Sequence, residues 1–186
     1  LIQILKLCSN GSMRTARTLL QESGELSKVT HMKWHLIEIT GSDAKAGDGG
    51  PLDALIEFYR AFNSGDNTAL ESTWLPGEAP SMDNPIGGIR RGWSSIAEGY
   101  SKIFEDRVKV QVTFHDFTSQ SGGDWHLFVG RERGTCKSLS ESLPVVFRTT
   151  RWFVRKDGSW RQLHHHGSVE DPKMLADYQR LIFGAR

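Results

Sequence analysis

The chain has 186 residues, 38% of them hydrophobic, with 23 Lys and Arg against 22 Asp and Glu for a formal net charge of +1. That balance leaves no clustered cationic excess to neutralise nucleic-acid phosphates, and no apolar run approaches the ~20 residues that span a bilayer. Two cysteines, Cys8 and Cys136, are too few and too far apart for a disulfide framework or a zinc ribbon, so a reducing, cytoplasmic setting is expected.

The first fifty residues differ from the rest. Leu1 to Leu7 is apolar but has no basic region ahead of it, so a secretory signal is not expected. The small and polar run from Gly41 to Gly50 reads as a flexible linker. The predicted division is therefore an N-terminal extension over 1–50, poorly ordered, and a domain over 51–186.

From Pro51 the periodicity is strong. Leu52, Leu55, Ile56, Tyr59 and Phe62 recur at three- and four-residue intervals, the buried stripe of an amphipathic helix that Asn63-Ser64-Gly65-Asp66 stops. A short helix carries Leu70, Trp74 and Leu75 and ends before Pro76. Ser81 to Ile86 is a brief extended piece closed by Gly87-Gly88, and a further helix runs from Trp93 to Phe104. After Asp106 the period becomes two: Val108, Val110, Val112 and Phe114 alternate with polar residues. Trp125 to Cys136, Pro144 to Lys156 and Ser159 to Ser168 continue as strands, the last two joined by a tight Asp157-Gly158 hairpin. Pro172 to Phe183 has helical spacing. Helices first and hairpin-linked strands afterwards indicate an α+β domain.

Several segments together carry a resemblance. Leu55-Ile56-Glu57-Phe58-Tyr59 through Gly65-Asp66, Asp83-Asn84-Pro85-Ile86-Gly87, Gly92-Trp93-Ser94-Ser95-Ile96, and Asp157-Gly158-Ser159-Trp160 with His164-His165-His166-Gly167-Ser168 resemble the nuclear transport factor 2-like superfamily, in its SnoaL-like and ketosteroid-isomerase-like branches. The resemblance covers about residues 51 to 170. It implies a cone-shaped, cystatin-like roll: a curved antiparallel sheet wrapped around a long helix, with a pocket between them and a homodimer formed through the convex sheet face.

The catalytic positions of ketosteroid isomerases depart here. The proton-abstracting aspartate falls on Asn84, the oxyanion-binding tyrosine on Phe58, and the second carboxylic acid on Thr150. Asp83, one residue off, reaches the pocket only through a bulge.

Alternation supplies another set. Thr149, Arg151 and Phe153 are expected to face the concave side of one strand, and Trp160, Gln162, His164 and His166 that of the next. Similarity to kinase association domains adds Arg131 and Arg151 as two guanidiniums projecting into the cavity, suited to a carboxylate. The expected site is thus an anion-friendly pocket for a small organic or anionic ligand. Tyr59, Asn84, Trp93, Arg131, Arg151, Trp160 and His164 line it, with Asp83 or His166 as base if it is catalytic. The alternative is that the arginines pair with local carboxylates such as Glu132 or Asp83.

No cofactor is expected and no metal. His164 and His166 could share one ion from a single strand face, but no third ligand has recognisable spacing and the arginines would repel a cation. Trp152 and Leu163, on the outward face, are the expected dimer contacts. Three readings stay open: a small-molecule-binding domain, an acid–base enzyme of the isomerase or cyclase kind, and a non-catalytic homo-oligomerisation module.

Overall fold

A computed structural model describes residues 32–104 and 108–184. Expectations for residues 1–31 lie outside the described part. From Met32 onward the chain forms one compact unit. Its elements in order are β1 (Lys33–His35), α1 (Pro51–Ser64), α2 (Asn67–Thr73), β2 (Ser81–Asp83), β3 (Ile89–Arg91), α3 (Trp93–Phe104), β4 (Lys109–Gly122), β5 (Trp125–Lys137), β6 (Ser142–Lys156), β7 (Ser159–Ser168) and α4 (Pro172–Phe183).

Local signals set the element ends. Pro51 opens α1, and Gly65 closes it in the left-handed conformation at φ 71°, its N–H donating to the carbonyls of Ala61 and Phe62. Asp66 caps α2 by accepting from the Ala69 N–H, and Asp171 caps α4 by accepting from that of Lys173. Asp157 and Gly158 both have positive φ, 50° and 78°, as a two-residue hairpin between twisted strands requires.

The seven strands form one sheet in the order β1-β4-β5-β6-β7-β2-β3, antiparallel except where β2 runs parallel to β7. Its concave face packs on α1 and α3. Leu55, Ile56, Phe58 and Tyr59 from α1 meet Phe114, Phe117, Phe128 and Phe153 from the strands, all nearly free of solvent. Losing one such phenylalanine to alanine costs about 3–5 kcal/mol, so this layer is the main stabilising element. No helix among the described residues is long and apolar enough to cross a membrane.

The expected boundary at residue 50 is corrected. Residues 32–50 are folded onto the domain. β1 pairs with β4, and Ile39 is buried while exchanging both backbone hydrogen bonds with Phe114. The run expected to be a linker is pinned by carboxylates. Asp43 accepts from the N–H groups of Thr40 and Gly41, and Asp53 from those of Ala46, Gly47 and Gly49. Gly41 is required where it stands: at φ 86° a Cβ would lie 2.5 Å from the Arg60 nitrogen.

Two irregularities decide which side chains face inward. One interrupts β4 between His115 and Thr118, with Asp116 at φ 47°. The other places Gln162 opposite Phe153 but His164 opposite Trp152, making Leu163 an extra residue in β7.

Candidate functional site

The Leu163 bulge reverses half of the expected β7 face. Before it, Trp160 packs against the core and Gln162 is fully buried; beyond it, His165 points inward and His164 and His166 point out. The expectation that His164 and His166 line the concave side is corrected, because an inserted residue advances the alternation by one. β6 keeps its expected parity, with Thr149, Arg151 and Phe153 buried and Trp152 exposed.

The two arginines part company. Arg151 is 3% exposed, whereas Arg131 lies on the outer face, lining a groove of about 400 Å³ with Arg148, Val146 and Glu170. Arg131 shares neither face nor partner with Arg151, so no two-guanidinium site is assembled. The parity of β5 explains it: Phe128, Glu132 and Cys136 are buried, which leaves Val129, Arg131 and Arg133 outside. That signal was present in the sequence.

Arg151 is held from three sides. Its Nη2 donates to Glu132 Oε1 at 2.6 Å, its Nε to the Tyr59 hydroxyl at 2.9 Å, and its Nη1 to Gln162 Oε1 at 2.9 Å. The Tyr59 hydroxyl donates in turn to Glu132 Oε1 at 2.8 Å. The guanidinium carbon lies 3.7 Å above the centre of the Phe58 ring, a cation–π contact in a dry setting. Glu132 thus cancels the buried cation, and the local-carboxylate alternative describes the contact.

Burial disfavours the Arg151 cation, yet its acidic neighbours Tyr59 and Glu132 outweigh that and hold its pKa above the usual arginine range. Burial pushes the hydroxyls of Tyr59 and Tyr100 above the ordinary tyrosine value. His165, placed opposite Arg151 in the β6–β7 register, is held well below the usual histidine value by burial first and by the Arg151 charge second. Its imidazole is neutral.

Around this closed pair stand polar atoms with no hydrogen-bond partner in the protein: Trp74 Nε1, the Tyr100 hydroxyl, Thr149 Oγ1, Gln162 Nε2 and His165 Nδ1. Each belongs to a side chain at most 5% exposed. Trp74 bridges to Gln162, and its ring lies 6.3 Å from that of Tyr100. The Tyr100 hydroxyl feels Arg151 and Trp74 without completing a hydrogen bond to either. Buried polar groups left in this state cost about 1–3 kcal/mol each, which makes their concentration around one ion pair a functional feature to explain.

The remaining expected residues are spent elsewhere. Asn84 Oδ1 accepts from the Ile86 N–H and shapes its own turn. Trp93 packs at 6.4 Å against Trp74 at the start of α3. Asp83 does not reach the interior: its neighbour Met82 is the buried residue, and Asp83 Oδ2 meets His166 Nδ1 at 3.1 Å on the outer face. The two expected catalytic residues are thus brought together, but on the side of the sheet away from Arg151.

The comparisons agree with this architecture. A ketosteroid isomerase-like protein from Erwinia carotovora atroseptica is 22% identical, over 64% of this chain and 92% of its own, with a TM-score of 0.55. A nuclear transport factor 2-like protein from Salmonella enterica is 18% identical over 62% and 85%, with a TM-score of 0.57. A protein from Thiobacillus denitrificans assigned to the calcium/calmodulin-dependent protein kinase type II association domains is 20% identical over 65% and 95%, with a TM-score of 0.54. At these identities they show the fold, the cystatin-like roll expected from the sequence. No curated protein matches the chain. Residues 52–172, however, match the SnoaL-like domain, and the chain belongs to that family.

Proposed function

We propose that this chain is a small-molecule-binding protein whose guest is held inside the cone against the Arg151 cluster. The observation that carries the reading is the set of unpartnered, nearly solvent-free polar atoms around the Arg151–Glu132 pair. Trp74 and Gln162 offer hydrogen-bond donors, while Tyr100, Thr149 and neutral His165 can donate or accept. Because Glu132 already neutralises Arg151, an uncharged oxygen-bearing guest suits the site better than an anion, which would add an unpaired buried charge. Acid–base catalysis has less support, since Asp83 and His166 stand on the opposite face.

The test is a thermal-shift screen of matched uncharged and carboxylate-bearing compounds on wild type, Gln162→Leu and Tyr100→Phe. These variants leave the ion pair in place. Uncharged compounds are expected to raise the wild-type Tm and to do so less in the variants, because a ligand of the native state stabilises it by mass action. No shift from any compound would sink the reading.

A homodimer in a cytoplasmic setting completes the proposal. On the outer face the pairing registers align Trp34, Thr118, Val129 and Thr150 in one cross-strand row, with Trp152 in the next. Trp34, Val129 and Trp152 are 67%, 44% and 40% exposed, an apolar strip that favours a second copy. Cys136, a buried free thiol with a pKa pushed up to about 11 by burial and then by Glu141, fits reducing surroundings.

A further inference from the structure

The outer face of the β2–β7 ladder carries a second constellation, independent of the interior. β7 presents His164 and His166 on this face with His165 turned the other way, and the parallel register sets Ser81 beside His164 and Asp83 beside His166. Ser81 Oγ lies 2.8 Å from His164 Nδ1, and Asp83 Oδ2 lies 3.1 Å from His166 Nδ1.

These contacts fix which ring nitrogens are free. A carboxylate only accepts, so the proton of a neutral His166 ring sits on Nδ1 and its lone pair on Nε2. The Ser81 hydroxyl can accept in the same way from His164. Both Nδ1 atoms are engaged toward β2, leaving both Nε2 atoms as the unengaged ring nitrogens. Residues two apart on an extended strand have Cα atoms about 7 Å apart, close enough for two imidazoles to reach one ion at Zn–N distances of about 2.0–2.1 Å. A metal-bound histidine characteristically donates its other ring nitrogen to a carboxylate or another oxygen, the arrangement seen here.

The electrostatic objection raised by the sequence loses Arg151 to the opposite face, while Arg131, on the same face as the histidines, is paired with Glu170. Asp83 puts a negative charge beside His166. Of the cations on the outer face, Arg91 stands opposite Ser81, Arg148 opposite Ser168 and Arg131 opposite Arg148; Glu170 engages Arg148 at 3.3 Å and Arg131 at 3.8 Å.

We propose that His164 and His166 form a two-imidazole chelating site for a late first-row divalent ion, Zn²⁺, Ni²⁺ or Cu²⁺, with Asp83 and Ser81 as positioning residues. Imidazole nitrogen selects these ions over Mg²⁺ and Ca²⁺, which require oxygen ligands. Among the described residues no set of three or more His, Cys, Asp or Glu is gathered for a metal ion, so water fills the other positions and the ion exchanges readily.

Isothermal titration of the full chain with ZnCl₂, NiCl₂ and MgCl₂ in a non-chelating buffer tests this, with wild type, His164→Ala, His166→Ala and Asp83→Ala. Expected is one saturable micromolar site for zinc and nickel, none for magnesium, and a loss of about tenfold or more in each variant. The His166 ring is half-exposed, so circular dichroism of the variants is expected to match wild type. Absence of saturable binding, equal binding of magnesium, or full affinity in either single-histidine variant would overturn the proposal.

Discussion

Arg151 Nη2 stands 2.6 Å from Glu132 Oε1 where the two side chains are only 3% and 6% exposed. A pair this dry is worth little against an apolar substitute of the same volume, but breaking it from one side strands a charge. Arg151→Met alone is expected to cost about 3–5 kcal/mol, whereas Arg151→Met with Glu132→Leu recovers most of that loss. Urea unfolding of wild type, both single variants and the double variant measures the coupling. Additive losses would show that the two charges do not act as a pair.

Stability should fall in mild acid through the buried imidazoles. His126 is lowered to about 4, by burial first and by His35 second, while the unfolded chain titrates near the usual value of about 6.5. Between these values the unfolded state binds the proton and the folded state does not, so stability rises with pH across about 4 to 6.5. His165, shifted in the same direction, adds to the slope. His126→Leu should flatten the profile in urea titrations over that window; an unchanged slope would remove His126 as a cause.

The segment before α1 should behave as part of the domain. Asp53→Ala removes the acceptor for three backbone N–H groups and is expected to cost about 2 kcal/mol and to open residues 46–49 to proteolysis. Gly41→Ala forces a side chain into a left-handed position against the α1 backbone and should cost more than about 1 kcal/mol. Limited proteolysis with mapped cleavage sites reads both effects.

Charge at Trp152 should shift association while leaving the fold of the single chain intact. Trp152 is 40% exposed, so Trp152→Glu is expected to leave unfolding within about 0.5 kcal/mol of wild type while shifting a dimer to monomer. Light scattering after size exclusion decides it: a wild-type monomer at micromolar concentration contradicts the dimer.

Much of the fold was legible before any coordinates. The helical stripe from Leu52 to Phe62, its stop at Asn63-Ser64-Gly65-Asp66 and the Asp157-Gly158 hairpin are local signals, each set by residues within a turn of one another. Ile39 was not legible, because its partner Phe114 is far away in sequence and the glycine-rich run between it and Pro51 imitates a linker. Glu132 was readable from the parity it shares with Phe128 and Cys136, a pattern that also places Arg131 outside.

By itself the sequence determined the order of the four helices and the four long strands and the inward face of β6 with Arg151 on it, because period and punctuation are properties of neighbouring residues; the SnoaL-like architecture followed from the resemblance its motifs carry. Tertiary structure alone decided what Arg151 meets and which histidines share its face. One extra residue at Leu163, visible only as a mismatch between two strands, turns His165 toward the guanidinium and sends His164 and His166 outward to Ser81 and Asp83. A bulge is a relation between paired chains, so its consequence for the site appears only when the strands are laid side by side.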